Sequence, residues 1–517
     1  MLVKLDTVAF MGLTTLKVRV EVSVAARGLP SFDIVGLPDK SVGESKHRIK
    51  AAFQNSKLPF PNKRITVNLA PADVHKEGSF YDFPIAAGIL CACKGLQPPK
   101  DSLFFGELSL DGSLTYSRGA FLLALFAKEI GIDSIFLPAP NCREANFVQD
   151  CVQVLGVSSI KALEDHLEGR FKILPYTGTY KSISAAMAAK NVEKPCVDVK
   201  DIKGQQFAKR ALQISAAGGH NLLLMGPPGA GKSLLAQALN SIMPPLSDHE
   251  SIDVTKIYSF VNTLSEVALP LRTRPFRHPH HTTSYAGIIG GGTKSVPGEI
   301  TLAHRGILFL DELLEFNRSV LEALRLPLEE GRITLIRQKG SVTFPAEFLL
   351  VAATNPCPCG YYGDTSHVCK CTPSQIQRYK SKLSGPLLDR LDLYVDVKPV
   401  KKQQLLGHAA DPDKEDSAYY KESVLRAREI QHKRFGSAAH IPNSKMTNAQ
   451  VAQWCSQTSE VNSLMEMAIT RFGLSARGYF KVLKVARTIA DLDCSENVKE
   501  AHVAEALQYR VKVLELK

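Results

Sequence analysis

Apolar and polar residues alternate in short stretches along roughly the first third of the chain. The segments LKVRVEVSVAA and RITVNLAPADV have the two-residue period of strands, and each is followed by a stretch of helical character. The helical stretch after the second of them is DFPIAAGILCAC. Strands that alternate with helices predict an α/β domain over residues 1–171.

The pattern changes twice further along. Residues 172–200 mix Pro, Ser, Thr and Lys without a sustained period, so we expect a linker there. An amphipathic helix then leads into apolar strands, which predicts an α/β core over residues 201–399. From residue 400 apolar residues recur every three or four positions, as in VKEAHVAEALQYR, and this period predicts a helical domain over residues 400–517.

One glycine-rich segment, GPPGAGKS, connects the apolar strand LLLM to an apolar helix. Its glycines allow backbone N–H groups to point at a β-phosphate, Lys232 reaches the β- and γ-phosphates, and the Ser233 hydroxyl is a ligand for Mg²⁺. The sequence therefore predicts that ATP and Mg²⁺ bind at this segment. The predicted nucleotide-binding residues are Gly226, Pro227, Pro228, Gly229, Ala230, Gly231, Lys232 and Ser233.

A second apolar strand, GILFL, ends in two consecutive carboxylates. We expect Asp311 to hold the magnesium ion or its water, and Glu312 to polarise the water that attacks the γ-phosphate. An acidic cap on the following helix would explain one acid more easily than two. The pair therefore favours ATP hydrolysis over nucleotide binding alone.

Length and charge narrow the class of protein. A chain of 517 residues is too long for one core and favours about three domains. No signal-peptide pattern and no 18-residue apolar span occur, so we expect a cytoplasmic protein with no membrane partner. The formal net charge is +12, and residues 171–399 hold 26 Lys and Arg against 19 Asp and Glu, an excess of +7. This excess favours a polyanionic partner.

Four of the eleven cysteines lie within fifteen residues, as two CxC pairs. In a cytosolic chain such thiols favour tetrahedral zinc over disulfides, with His367 as an alternative to one sulfur. The seven remaining cysteines are expected to fill cores. Histidines 278, 280 and 281 are poorly spaced for one ion, so contact with phosphate or another subunit is favoured over metal. The predicted zinc ligands are Cys357, Cys359, Cys369 and Cys371.

The segment GRITLIRQKGSVTFPAEF alternates, turns at Lys-Gly and alternates again, which predicts a β-hairpin. Arg337 and Lys339 lie at its tip. They are candidate DNA-binding residues, and the alternative is an ordinary hairpin with solvated charges at its turn.

Several motifs together resemble the YifB/ComM family of magnesium-chelatase-like AAA+ proteins over nearly the whole chain. They are GPPGAGKS, RPFRHPHH, ILFLDEL, AATNPCPCG, SGPLLDRLD and SARGYFKVLKVARTIADL. The resemblance implies an AAA+ P-loop ATPase core, preceded by a Lon-protease-like α/β domain and followed by a helical lid. It also implies that the predicted hairpin points into the pore of a ring.

The resemblance implies roles for three further residues. Asn355 matches the sensor asparagine that positions the attacking water. Arg390 matches the arginine that reaches the neighbouring subunit's nucleotide, and the alternative is an ion pair with Asp389 or Asp392. Arg477 begins a helix and matches the second sensor arginine, which contacts the γ-phosphate, with a plain surface arginine as the alternative.

In the N-terminal domain the resemblance places Asp82 where a Lon-type protease has its serine, and Phe121 near the position of the lysine. An aspartate cannot act as an activated hydroxyl, so we expect a non-proteolytic scaffold. Ser79 is expected to be a turn residue. The family as a whole implies a homo-hexameric DNA helicase that drives branch migration of single-stranded DNA during natural transformation. The alternative is a chelatase-type ATPase that remodels a protein partner.

Overall fold

The computed structural model describes residues 1–26, 29–148, 150–177, 197–261, 271–292, 296–337, 340–364, 367–400, 416–436, 441–455 and 458–510. The chain forms two compact units. The first comprises residues 1–191 and 251–271, and the second comprises residues 192–250 and 272–517.

Between residues 1 and 177, the described residues of the first unit form nine strands and five helices. The strands are β1 (Leu2–Met11), β2 (Thr14–Val24), β3 (Ser31–Val35), β4 (Arg64–Ala70), β5 (Ser102–Phe104), β6 (Glu107–Leu108), β7 (Leu114–Thr115), β8 (Ser134–Pro138) and β9 (Gln153–Val157). The helices are α1 (Lys40–Asn55), α2 (Asp82–Lys94), α3 (Ala120–Glu129), α4 (Cys142–Ala145) and α5 (Ile160–Leu167).

Seven of these strands form one mixed sheet in the order β3-β4-β2-β1-β5-β8-β9, and β6 and β7 form a separate ribbon. β2 is antiparallel to β1 and β4, while the remaining pairs are parallel. Helix α2 is apolar on all sides because it is buried against β1 and β2. Gly88 is required there, since a Cβ would lie 2.5 Å from Val22 Cγ2.

The two positions compared with a protease lie in this core. Asp82 is buried at the start of α2 and accepts hydrogen bonds from Arg48 Nε at 2.6 Å and from the Ser45 hydroxyl. Burial raises the pKa of Asp82, and the Arg48 hydrogen bond opposes that rise. Phe121 is fully buried in α3, and the Ser79 hydroxyl donates to Glu107. Asp82 is thus half of a buried ion pair.

The second unit contains the remaining strands and helices. The strands are β10 (Leu222–Met225), β11 (Phe276–Arg277), β12 (Gly290–Gly291), β13 (Val296–Pro297), β14 (Ile307–Leu310), β15 (Arg332–Arg337), β16 (Gly340–Pro345), β17 (Leu349–Thr354) and β18 (Leu393–Asp396). The helices of its α/β part are α6 (Gln206–Gly218), α7 (Lys232–Ile242), α8 (Asp248–Val261), α9 (Tyr285–Ile289), α10 (Glu299–Leu302), α11 (Arg318–Ala323), α12 (Arg325–Glu330), α13 (Pro373–Lys380) and α14 (Gly385–Leu388). Residues 251–261 of α8 group with the first unit.

Five of these strands form an all-parallel sheet in the order β11-β14-β17-β10-β18. The central strands β10, β14 and β17 are short apolar runs that are almost wholly buried, as expected for a sheet with helices on both faces. The segments that follow these three strands meet at the carboxyl edge of the sheet, where doubly wound folds bind ligands.

The predicted hairpin is confirmed: β15 and β16 pair antiparallel from Arg332↔Pro345 to Arg337↔Gly340. Residues 338 and 339 lie outside the described part of the chain.

The C-terminal region is helical, as predicted, and groups with the parallel sheet in one unit. Its helices are α15 (Ser417–Phe435), α16 (Asn448–Trp454), α17 (Ser459–Phe472), α18 (Ala476–Leu492) and α19 (Glu500–Gln508). Buried apolar residues of α18, among them Val482, Ala486 and Ile489, recur at helical spacing and share one core with β10 and α6. The boundaries predicted at residues 171, 200 and 399 stay predictions, and residues 178–196 and 401–415 lie outside the described part.

Candidate nucleotide site

The predicted phosphate loop connects β10 to the first residue of α7, which is Lys232. Two of its glycines, Gly229 (φ +78°) and Gly231 (φ +89°), have left-handed backbone that favours glycine. At Gly226 a Cβ would lie 2.2 Å from the Val397 carbonyl oxygen, so only glycine fits beside the chain that leaves β18. Glycine is therefore needed for two different reasons: for the backbone conformation at Gly229 and Gly231, and for the close approach of another chain segment at Gly226.

Lys232 is buried, and its ammonium group donates to the carbonyl oxygens of Gly226 (2.7 Å) and Pro227 (2.9 Å). It also donates to Asn355 Oδ1 at 3.0 Å. Burial lowers the pKa of Lys232, and the charges of Asp311 and Glu312 oppose that shift. The structure thus brings Asn355, directly after β17, to the phosphate loop.

The Ser233 hydroxyl donates to Asp311 Oδ2 at 2.7 Å. Asp311 lies directly after β14, and its other oxygen accepts from the backbone N–H of Glu312 at 2.9 Å. A hydroxyl and a carboxylate in contact at the start of a helix form the oxygen donor set that holds Mg²⁺ in P-loop proteins. These residues fit the predicted magnesium ion.

Glu312 has left-handed backbone (φ +50°, ψ +47°), which is uncommon for a residue with a side chain and is often found at functional sites. Its carboxylate is 54% exposed and lies 3.2 Å from His281 Nδ1. An exposed carboxylate next to Asp311 is accessible to water, as a group that polarises water must be.

His281 was not singled out as a partner of Glu312. It belongs to the segment RPFRHPHH, whose Phe276 and Arg277 form β11 beside β14. Because β11 and β14 are parallel neighbours, residues soon after both strands approach each other. Two adjacent histidines after an edge strand are the signal that the sequence offered.

Among the described residues, neither of the two predicted arginines forms a hydrogen bond or an ion pair with the phosphate loop. The Arg390 side chain is 11% exposed and forms an ion pair with Glu329, and its Nη1 donates to the Pro386 carbonyl oxygen at 3.0 Å. Neither aspartate considered as a partner pairs with it, since Asp392 binds Lys481 at 2.5 Å instead. Arg477 is exposed in the first turn of α18 and has no ion-pair partner among the described residues.

The four predicted zinc ligands converge in space: their sulfur atoms all lie within 4.8 Å of one another. Three of the separations are 3.3, 3.6 and 3.7 Å, and four sulfurs around one zinc ion at about 2.3 Å stand about 3.8 Å apart. A hydrogen bond from the backbone of Tyr361 is the main reason that the pKa of the Cys359 thiol falls to about 6. His367 lies outside this cluster, next to Asp364. The donor set fits zinc.

Arg337 ends β15, and nothing is described of its side chain; Lys339 lies outside the described residues. The β15–β16 hairpin on whose tip both residues were predicted is present in the structure. One exposed apolar side chain on it is Ile336, which is 83% exposed.

Among the described residues, no helix is both long enough and apolar enough to cross a membrane.

The parallel sheet with a phosphate loop after β10, a carboxylate pair after β14 and an asparagine after β17 defines an AAA+ P-loop ATPase fold. Three family models agree with it: magnesium chelatase, subunit ChlI, over residues 198–405; subunit ChlI of Mg-chelatase over residues 20–141; and magnesium chelatase, subunit ChlI C-terminal, over residues 414–510.

Two relatives match nearly full length. Competence protein ComM of Haemophilus influenzae is 42% identical, and the protein YifB of Escherichia coli is 41% identical; each match covers 98% of this chain and 96% of the relative. The chain therefore belongs to the ComM/YifB family of magnesium-chelatase-like AAA+ proteins. Magnesium-chelatase subunit ChlI of Cyanophora paradoxa is more distant, at 22% identity over 56% of this chain and 86% of its own length.

Proposed function

We propose that the protein hydrolyses ATP in a homo-hexameric ring and uses the energy to move along DNA, unwinding forked DNA and driving branch migration. The setting would be the integration of single-stranded DNA during natural transformation and homologous recombination. Because both proposed substrates, ATP and DNA, are found in the cytoplasm, the proposed location is the cytoplasm. The observation that carries the proposal is the pair of contacts Lys232–Asn355 and Ser233–Asp311, in a chain that is 42% identical to a competence protein.

Roles follow from the contacts. Lys232 and the loop glycines would bind the phosphates, and Ser233 with Asp311 would hold Mg²⁺. Bound Mg²⁺ would neutralise charge on the β- and γ-phosphates. Glu312 would polarise the attacking water, and Asn355 would orient it from the end of the neighbouring strand.

The ring is supported by the positions of two arginines. Within the described residues neither Arg390 nor Arg477 binds the phosphate loop of its own chain, so a site that uses them would take them from a neighbouring subunit or after a movement of the helical region. An arginine supplied in trans neutralises charge that develops on the γ-phosphate.

DNA as the partner is supported by the excess of +7 in residues 171–399 and by the confirmed hairpin. Phosphate contacts from Lys and Arg are independent of base sequence, as a translocase requires. We assign Arg337 and Lys339 to this contact.

The remaining assignments are also proposals. Residues 1–171 would be a non-proteolytic Lon-like domain, residues 172–200 a linker, residues 201–399 the ATPase core and residues 400–517 the lid. The cysteine cluster would hold one structural Zn²⁺ per chain.

The alternative is an ATPase that remodels a protein partner, which the match to a chelatase subunit supports. ATPase measured with and without single-stranded and forked DNA separates the two. We expect stimulation by DNA and binding that weakens as salt rises. A ring that hydrolyses ATP but neither binds DNA at low salt nor responds to it would favour the protein-remodelling alternative.

Two variants test the nucleotide site itself. Lys232→Ala is expected to lose ATP affinity, whereas Glu312→Gln is expected to bind ATP and fail to hydrolyse it. Full turnover by either variant would overturn the assigned roles.

A further inference from the structure

The cysteine cluster lies next to the nucleotide site along the chain. Asn355, which accepts the hydrogen bond from Lys232, is separated from Cys357 by a single residue, Pro356. Pro358 then separates Cys357 from Cys359. Proline fixes its own φ and restricts the residue before it, so the segment from Asn355 to Cys359 has little freedom.

A second connection runs through Gly360, directly after the cluster's second cysteine. It is buried with left-handed backbone (φ +86°), and a Cβ there would lie 2.6 Å from Pro228 Cδ in the phosphate loop. The turn that holds the cluster therefore packs directly against the loop that binds phosphate. Its geometry is fixed by hydrogen bonds to Cys357, from Gly360 N to the carbonyl oxygen at 3.0 Å and from Tyr362 N to the sulfur at 3.3 Å.

The segment that carries the cluster is thus connected to the nucleotide site at two points. It continues from Asn355 at the end of β17, and its Gly360 packs against Pro228 in the loop after β10. Four sulfur atoms within 4.8 Å of one another form the donor set of a single ion, and zinc bound by four sulfurs has a fixed tetrahedral geometry. A bound ion would fix Cys357 and Cys359 and, through them, both contacts.

We propose that a Zn²⁺ ion bound by Cys357, Cys359, Cys369 and Cys371 is a positioning element of the ATPase site. The bound ion fixes the position of Asn355 relative to the phosphate loop. In this role the ion would hold its four cysteine ligands in place and would take no part in the chemistry of hydrolysis. This inference rests on the proposed ATPase function. It makes the hydrolysis rate depend on zinc occupancy.

Two glycines of the same turn provide a matched pair of variants. Gly360 (φ +86°) and Gly363 (φ +79°) have the same backbone conformation, but a Cβ at Gly363 meets nothing within 4 Å. Gly360→Ala and Gly363→Ala therefore add the same kind of backbone strain, and only the first pushes on Pro228.

We expect both variants to keep about one zinc per chain, measured by elemental analysis, because neither changes a ligand. Gly363→Ala should keep kcat within about twofold of the parent, whereas Gly360→Ala should lose about tenfold or more, since small displacements at a reacting centre are costly. Adding Pro228→Ala to Gly360→Ala removes the Cδ atom and should recover part of the rate. Equal kcat values for the two single variants, or no recovery in the double variant, would overturn the proposal.

Removing zinc from the parent protein tests the same proposal without any substitution. Protein treated with a zinc-selective chelator and returned to magnesium buffer should keep its circular dichroism spectrum, lose kcat in proportion to the zinc removed, and regain it when zinc is added back. The affinity for a fluorescent ATP analogue should also fall, because the phosphate loop is displaced. Zinc-free protein with full kcat and unchanged affinity would overturn the proposal.

The results that would overturn the proposed ATPase function differ from those that would overturn the positioning role of zinc. If zinc-loaded parent protein shows no ATPase, the proposed function fails. If the parent hydrolyses ATP but binds no zinc, or hydrolyses it equally well with and without zinc, only the positioning role fails.

Discussion

Arg390 forms an ion pair with Glu329 of its own chain, 61 residues earlier, at the end of α12. The arginine is 11% exposed and its partner is 49% exposed. A pair of this exposure contributes at most about 1 kcal/mol to folding. An arginine held by so weak a pair remains available for exchange with a stronger anion, such as a phosphate of a neighbouring subunit.

This relationship yields a test with its own control. In a ring, Arg390→Ala is expected to lower kcat on the order of a thousandfold, as for other arginines supplied in trans. Glu329→Gln removes the intramolecular partner and should leave kcat nearly unchanged. Thermal melting should show only small changes for both. Equal losses of activity in the two variants would indicate that the ion pair itself is what matters.

Mixed rings extend the test. Lys232→Ala subunits have an intact Arg390, and Arg390→Ala subunits have an intact phosphate loop. If Arg390 acts on the neighbour, mixing the two should exceed the ATPase of either alone. No gain in rings shown to contain both kinds of subunit would exclude action in trans.

The sequence was sufficient for features that depend on local patterns. Short apolar runs predicted the buried strands β10 and β14, and the shared role of Ser233 and Asp311 in holding Mg²⁺ required the residues that follow these strands to meet. Ser233 and Asp311 are indeed in contact. The alternation on both sides of Lys339 predicted the β15–β16 hairpin for the same local reason.

Pairings between distant elements could not be predicted. The alternative to a role of Arg390 in the neighbouring subunit was an ion pair with Asp389 or Asp392, its neighbours in sequence, whereas the fold brings Glu329 to it. The contact of Gly360 with Pro228 joins residues whose proximity only the completed sheet order determines. Two adjacent histidines marked this segment in the sequence, but their spacing did not show that His281 lies beside Glu312.

The His281–Glu312 contact gives the second prediction. His281 Nδ1 lies 3.2 Å from Glu312 Oε2, while the neighbouring His280 instead contacts the Thr282 hydroxyl at 2.8 Å. If Glu312 polarises the attacking water as proposed, His281 limits where its carboxylate points, and His281→Ala should lower kcat about tenfold with little change in KM for ATP. His47→Ala, which removes an exposed histidine of α1, serves as the control and should stay near the parent rate. A change confined to KM, or similar effects of both variants, would argue against orientation of Glu312 by His281.

The third prediction concerns the hairpin. Removing two phosphate-binding cations with Arg337→Ala and Lys339→Ala should flatten the slope of log affinity for single-stranded DNA against log salt by about 1.4. It should also reduce unwinding of forked DNA at a given rate of ATP hydrolysis. Arg332→Ala, at the base of the same hairpin and paired with Glu330 at 3.1 Å, is the matched control and should keep the parent slope. Equal slopes for all three proteins would remove this hairpin from the DNA contact.

The last prediction is a loss of stability in mild acid that has a specific source. His304 is buried between α10 and β14, and its Nδ1 accepts the backbone N–H of Glu347 at 3.0 Å. Burial, assisted by Arg305, lowers its pKa from the usual 6.5 to about 3. In the unfolded chain His304 is therefore protonated below pH 6.5, whereas in the folded chain it stays neutral down to about pH 3. The free energy of unfolding thus falls as pH decreases from 6.5 to 3.

For this one group the loss amounts to about 2 kcal/mol between pH 7.5 and pH 5. Burial also lowers the pKa of His220, which adds to the fall in the same direction. His304→Asn retains an acceptor for the Glu347 N–H and cannot titrate, so denaturant unfolding of this variant should show a pH dependence smaller by about 2 kcal/mol over the same range. His280→Asn removes an exposed histidine and should keep the parent's pH dependence. If His304→Asn loses as much stability in acid as the parent, His304 is not the group that the folded protein keeps neutral.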